Sequence, residues 1–155
     1  MPSRAVMSVD EARAWLAEVI SGAERLRLES VDDGRVVSVA GPDCLELRLD
    51  GTISGPAMFW AMDLTGFVAV TVLLGPTPAM VLAHSSISFL EPAEPGELRV
   101  TAEVIKLASR SAVVDARASD RRGALVAAST LHFALPSRAT RAALRAEHAV
   151  RAAAG

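Results

Sequence analysis

The sequence has little cysteine, little net charge and no apolar stretch at its start. Cys44 is the one cysteine among 155 residues, so an internal disulfide cannot form, and we expect a reducing compartment, the cytoplasm. A net charge of −2 and a pI near 5.9 provide no positive field for phosphate backbones, which excludes a general nucleic-acid binder. The chain runs early into polar Asp10 and Glu11, unlike a secretory signal.

What the chain does have is apolar residues, which make up 51% of it at a mean hydropathy of +0.33. This composition excludes intrinsic disorder. The length suits one domain. We therefore expect a single domain over residues 1–155, with its core at about 25–135.

Local patterns predict the elements. Ser8 and Glu11 have the spacing of a capping box, so a helix is expected over residues 8–21. Alternating leucines between Leu26 and Leu49 predict short half-buried strands. The tail at 137–154 is predicted to be a solvated helix or a frayed end. Further strands are predicted after Pro78 at 80–90, 98–107, 112–119 and 125–135.

The longest apolar run is Ile53–Leu74, with 22 residues and one charge, Asp63. Its length would permit a membrane span. The carboxylate near its middle and the lack of flanking Lys or Arg disfavour one. We expect a buried helix from Pro56 to about Leu74, ended by Gly75 and Pro76. A membrane-associated helix is the weaker alternative.

This order of elements predicts an α+β fold in which a curved antiparallel sheet wraps around one long central helix. A single sheet cannot enclose a helix that is apolar on all sides. The uncovered side then needs a second copy of the chain, so we expect an obligate homo-oligomer. Trp15 and Trp60 are expected in the core and at the interface.

Asp63 is the candidate reactive group, because it is the one ionisable residue between Gly51 and His84. A carboxylate removed from water must be paired, protonated or used in chemistry. The alternative is a structural Asp whose carboxylate accepts hydrogen bonds from backbone N–H groups or pairs with an Arg from another strand.

The start of the helix is the second candidate feature. The Gly-rich entry 51–56 leaves backbone N–H groups and a positive helix end that favour an oxyanion. Pro56 has no N–H, so the expected donors are Gly55, Ala57 and Met58. The alternative is ordinary capping by Ser54.

Spacing relates the two features. Gly55 and Asp63 are eight residues apart, about 12 Å along a helix, so one helix cannot aim both at the same carbonyl. Two copies of the helix, antiparallel across a twofold axis, can place Gly55 of one subunit opposite Asp63 of the other. The expected assembly is a dimer or a dimer of dimers, with sites at the subunit boundary.

In the order and spacing of these residues, the sequence resembles the hotdog-fold thioesterases of the phenylacetic-acid-degradation (PaaI-like) group. Their pattern is His-Gly-Gly at the start of the central helix, with Asp or Glu nine residues after the His. Here Ser54-Gly55-Pro56 takes the place of the triplet, as a variant branch, and Asp63 stands at the acidic position. The segments 88–98 and 123–130 resemble the family's later strands.

The resemblance implies hydrolysis of an acyl-coenzyme A thioester, with no cofactor beyond the coenzyme A of the substrate. Gly55 would polarise the carbonyl, and Asp63 would act as nucleophile or general base. Ser54, Ala57, Met58 and Arg110 would contact substrate, Arg110 near the coenzyme A phosphates or else as a solvated turn residue. Because Ser54 replaces the His, a non-catalytic acyl-CoA-binding or structural hotdog protein is the alternative. In the family's hydratase branch a His stands where Val68 stands here, which disfavours that reaction.

Other constellations are weak. His84, His132 and His148 do not have the spacing of metal ligands, so no metal is expected. Ser54 stands one place late for a nucleophile elbow. A Ser-His-Asp site with His84 would require the fold to bring the residues together.

Overall fold

The structure is a computed structural model that describes residues 4–77 and 79–155, so the first three residues of the predicted domain and Pro78 lie outside it. In these residues three α-helices and six strands follow one another. Their bounds are α1 (Val9–Val19), β1 (Leu26–Asp32), β2 (Arg35–Ala40), α2 (Gly55–Leu74), β3 (Val81–Phe89), β4 (Leu98–Leu107), β5 (Ser111–Ser119), β6 (Leu125–Ala134) and α3 (Arg138–Ala154).

All six strands form one antiparallel sheet in the order β1-β2-β4-β5-β6-β3. Register shifts interrupt β1, β3 and β4. Such bulges bend a strand and increase its twist. The sheet curves around α2, as predicted, and β3 is left as an edge strand with one unpaired side.

Helix α2 is the centre of the fold. Every residue from Leu64 to Leu73 is buried, and ten consecutive residues span every face of a helix. Gly66 permits close packing on β6, because a Cβ there would lie 2.6 Å from Leu131 Cδ1. The helix is long and apolar enough to cross a membrane, but 78% of its most hydrophobic window is buried inside this chain.

The second half of α2 is covered by α1, which corrects the expectation that only another subunit can cover it. Trp15 of α1 stacks on Phe67, with ring centroids 5.3 Å apart. The first half keeps an uncovered face of exposed or half-exposed residues at helical spacing. We call this the open face of α2; it consists of Pro56, Phe59, Trp60 and Asp63.

The predicted ends of the elements hold to within one or two residues in most places. Ser8 caps α1 in a capping box with Glu11, as predicted. The predicted strand at Leu45–Leu49 is wrong: only a single bridge joins Leu47 to Ile53, and Leu49 is fully exposed. Alternation alone predicted a strand there, but the segment turns back on itself with no neighbouring strand to pair.

The C-terminal tail is a helix, α3, and it is attached to the rest of the fold. Arg141 is buried and donates to the carbonyl oxygens of Ser109 and Pro136, at 2.9 and 3.0 Å. Arg145 donates to the carbonyl oxygen of Leu74 at 2.8 Å. These bonds hold α3 against one end of the sheet and of α2.

Candidate active site

The start of α2 leaves one backbone donor free. Ser54 is the N-cap, and its Oγ accepts from the N–H of Ala57 at 3.2 Å. The N–H of Met58 donates to the carbonyl oxygen of Ser54 at 3.1 Å. Because Pro56 has no N–H, the Gly55 N–H is the only donor of the first turn that finds no acceptor in the described part of the chain.

This corrects the predicted donor set. Ala57 and Met58 were expected to offer free N–H groups, and both groups are used by Ser54. The capping alternative for Ser54 is therefore present, and it coexists with a free Gly55. The Ala57 bond depends on the rotamer of the Ser54 side chain, which the sequence does not specify, whereas the Met58 bond is the ordinary helical bond to the carbonyl four residues before.

Gly55 lines a cavity of about 620 Å³. Phe89, at the end of β3, packs over Gly55 so closely that a Cβ would lie 3.2 Å from the ring. Arg48 also lines the cavity, and its Nη2 lies 3.8 Å from Oδ2 of Asp50. Sequence reasoning missed Arg48 and Phe89, because the loop before α2 and the end of β3 meet only in the folded chain.

Asp63 lies on the open face of α2, half-buried, and lines a second cavity of about 250 Å³. Within residues 4–77 and 79–155 its carboxylate has neither a hydrogen-bond donor nor an ion-pair partner. Burial away from water raises the pKa of Asp63. The structural alternative, a carboxylate satisfied by a donor or an Arg, has no support in the described chain.

Gly55 and Asp63 therefore belong to two different cavities of one subunit. This matches their separation of eight residues along one helix. An arrangement in which the two groups meet across a twofold axis stays a prediction.

Arg110 lies elsewhere. It follows β4 in the turn before β5, where its Nε donates to the carbonyl oxygen of Leu135 at 3.1 Å. It lines neither the Gly55 cavity nor the Asp63 cavity. Its contact with coenzyme A phosphates stays a prediction, and Arg48 is the cation found in the lining of the Gly55 cavity.

The histidines do not join the site. His84 on β3 and His132 on β6 face each other with ring centroids 5.5 Å apart. Both are exposed, whereas Leu131 and Phe133 beside His132 are buried towards α2. The pair thus lies on the outer face of the sheet, and a Ser-His-Asp site with His84 is not formed. In the described residues no three metal-ligating side chains come together.

Comparison with known proteins extends these observations. Residues 50–127, which include Gly55 and Asp63, match the model of the thioesterase superfamily. No curated protein matches the sequence.

Several solved structures have the same fold. A protein from a Silicibacter species, described as a thioesterase, is 26% identical, with a TM-score of 0.79 over 88% of this chain and 96% of that one. The PaaI protein of E. coli is 20% identical, with a TM-score of 0.69 over 84% and 97%. A hypothetical thioesterase of Streptococcus pneumoniae, solved with coenzyme A, is 19% identical, with a TM-score of 0.66 over 84% and 98%. The predicted hotdog fold is confirmed.

Proposed function

The chain belongs to the thioesterase superfamily, and on that premise we propose that it hydrolyses an acyl-coenzyme A thioester. The observation that carries the proposal is Asp63, a half-buried carboxylate with no partner in the described chain and with a cavity beside it. The coenzyme A in the Streptococcus pneumoniae structure supports this substrate class. A member of the PaaI-like group with a Ser-Gly-Pro triplet is the finer assignment that we propose.

In the proposed reaction the Gly55 N–H donates to the thioester carbonyl oxygen and stabilises the negative charge that develops there. As a general base, Asp63 takes a proton from water while the water oxygen attacks the carbonyl carbon. The C–S bond then breaks, and the thiolate of coenzyme A is protonated. As a nucleophile, Asp63 would instead attack the carbonyl carbon, the C–S bond would break to release the thiolate of coenzyme A, and water would hydrolyse the resulting anhydride.

The environment of Asp63 suits either role. A carboxylate that burial has stripped of water is more basic than an exposed one. No cation in the described chain neutralises it, so its charge remains available for the reaction. The reaction uses no cofactor apart from the coenzyme A of the substrate, and we propose a cytoplasmic location on the sequence reasoning alone.

The site is completed by a second subunit in this proposal. One carbonyl cannot contact Gly55 and Asp63 of the same chain, because they line separate cavities. The open face of α2 exposes Phe59 and Trp60 next to Asp63, which is an apolar surface suited to burial in a dimer. A homodimer, or a dimer of dimers, with antiparallel α2 helices satisfies both observations.

The decisive experiment is Asp63→Asn, assayed on a panel of acyl-CoA substrates with a thiol-detecting reagent. We expect kcat to fall by roughly 100- to 10,000-fold with the oligomer intact, because Asn cannot accept the proton or attack the carbonyl. Asp115→Asn is the matched control, since Asp115 is half-exposed and paired with Arg117 on the outer face of the sheet. Equal activity of the Asp63 and Asp115 variants would contradict the proposal.

The alternative is a non-catalytic acyl-CoA-binding or structural hotdog protein. It is favoured by the use of the Ser54 hydroxyl as a cap and by Pro56, which together leave a single free donor at the helix start. Tight binding of acyl-CoA by the wild-type protein, without thiol release from any substrate of the panel, would establish it.

A further inference from the structure

The Asp63 cavity is apolar except for Asp63 itself. Its walls come from the C-terminal end of α1, from α2, from β3 and the segment leading into it, and from β6. They are formed by Val19, Ile20, Asp63, Leu64, Phe67, Met80, Leu82 and Phe133. A cavity of this composition favours an apolar group and disfavours a charged one, which would lose its hydration without gaining a partner.

Burial distinguishes the mouth of the cavity from its floor. Ile20, Asp63 and Leu82 are half-exposed and form the mouth. The floor is formed by buried residues that are at most 8% exposed, namely Leu64, Phe67, Met80 and Phe133. A group that reacts at Asp63 would therefore extend its apolar part inwards, towards Phe67.

Phe67 closes the inner end because α1 supports it from behind. Trp15 stacks on the Phe67 ring at 5.3 Å with an interplanar angle of 14°. On the far side of Trp15 lies a separate cavity of about 670 Å³, whose lining includes Val6 and Leu74. The stacked pair thus separates the Asp63 cavity from a second cavity whose lining also includes the charged Glu11, Glu18 and Arg145.

We propose that the Asp63 cavity is the acyl pocket of the site, and that the Trp15–Phe67 pair sets the maximum length of the acyl chain. This inference rests on the proposed thioesterase function. A water molecule occupies about 30 Å³ in the liquid, and a methylene group is of similar size. A cavity of about 250 Å³ therefore holds an unbranched aliphatic acyl group of about six to eight carbon atoms. Longer chains meet the aromatic wall.

The first test changes Ile20 at the mouth. Ile20→Phe narrows the Asp63 cavity, and we expect it to shift the optimum of kcat/KM from hexanoyl- or octanoyl-CoA to butanoyl-CoA, with roughly a tenfold loss for octanoyl-CoA. Val6→Phe is the matched control, since Val6 is an exposed aliphatic residue beside the cavity on the other side of Trp15. A shift in Val6→Phe, or none in Ile20→Phe, would overturn the proposal.

The second test measures binding without catalysis. Neutral primary alcohols from butanol to decanol carry the apolar chain and avoid charge repulsion by Asp63. We expect them to change the fluorescence of Trp15 in the wild-type protein, and Trp15→Phe to abolish the change. Affinity should rise about fourfold per methylene up to the length limit and no further. Ile20→Phe should abolish binding of the longer alcohols, and Val6→Phe should retain it.

The two tests separate the pocket from the function. Alcohol binding with a length limit, but no thioester hydrolysis, would overturn the proposed function and support the pocket. Hydrolysis of all chain lengths up to palmitoyl-CoA with similar kcat/KM would overturn the pocket and support the function.

Discussion

At the residue scale, the proposed reaction depends on the carboxylate of Asp63, which destabilises the folded state when it is ionised. Burial raises the pKa of Asp63, so the folded state holds its proton more tightly than the unfolded state does. The contribution of Asp63 to stability is therefore fully present below its unfolded pKa and is lost as pH rises through its folded pKa. At neutral pH the ionised group destabilises the fold.

This gives a stability prediction. Asp63→Asn should raise Tm at pH 7, because Asn cannot ionise, and should change Tm much less at pH 3, where the native carboxyl is protonated. The measurement is thermal unfolding at the two pH values, with Asp115→Asn as the control. A lower Tm at pH 7 would show that Asp63 has a stabilising partner.

The same shift predicts the acid limb of the activity profile. Asp63 must be ionised to act as base or nucleophile, so kcat/KM should rise with pH and reach half its plateau above the ordinary pKa of an Asp carboxyl, 3.8. A pH–rate profile on one acyl-CoA checks this. A half-point at or below the ordinary value would assign the limb to another group.

The sequence predicted single residues unevenly. Asp63 was found because it is the lone charge in a long apolar run, a signal that needs no neighbours. Ala57 and Met58 were predicted wrongly as free donors. Ala57 donates to the Ser54 side chain, whose rotamer the sequence does not specify, and Met58 makes the ordinary helical bond to the Ser54 carbonyl. Arg48 was missed because its place in the lining of the Gly55 cavity depends on a loop without regular structure.

At the element scale, the loop that walls the Gly55 cavity is fixed by the turn between β5 and β6. Asp120 in that turn is buried and accepts from the backbone N–H of Glu94 at 3.0 Å and from Arg122 Nη2 at 2.7 Å. Burial alone would raise the pKa of Asp120. The hydrogen bonds from Arg122 and from the N–H groups of Glu94 and Arg122 outweigh it and lower the pKa to about 2.

Because the pKa of Asp120 is lowered, its hydrogen bonds stabilise the folded state by an amount that depends on pH. The contribution of Asp120 is present above its unfolded pKa, near 3.8, and is lost as pH falls towards about 2. We expect Asp120→Asn to cost about 2 kcal/mol of unfolding free energy at pH 7 and much less at pH 2. Denaturant unfolding at both pH values measures the difference.

Arg121→Gln is the control for this prediction. Arg121 makes an exposed ion pair with Glu94 in the same turn, and such pairs contribute about 0–1 kcal/mol. If both variants lost the same stability, the buried carboxylate would have no special role.

Elements with a clear period or composition were predicted well. The bounds of α2 and β4 were predicted to within one residue. Helix α2 is uniformly apolar between the Ser54 cap and Gly75, and apolar and polar residues alternate along β4 between two turns that carry charged residues. The strand predicted from the alternation at Leu45–Leu49 is absent. A strand forms only where another strand is available to pair with it, and this depends on the fold.

At the scale of the whole molecule, the proposed dimer predicts complementation between two inactive variants. Gly55→Pro removes the donor N–H at a helix position that favours Pro. Asp63→Asn removes the carboxylate. If each site combines Gly55 of one subunit with Asp63 of the other, each mixed dimer regains one intact site, and a random mixture recovers about a quarter of wild-type activity.

The measurement is thioesterase activity after the two variants are unfolded together and refolded. Each variant refolded alone is the control and should stay inactive. A mixture that remains inactive while mass spectrometry of the intact dimers shows mixed dimers would place both groups in one chain.

Helix α1 lies outside the sheet, yet it supplies part of the cavity beside Asp63 and supports its inner end through Trp15. The proposed reacting groups, Gly55 and Asp63, and all six strands lie after residue 25. If the proposed function holds, substitutions in α1 would change which thioesters are accepted and leave the reacting groups unchanged. Exchanging α1 between homologues would then transfer substrate selectivity.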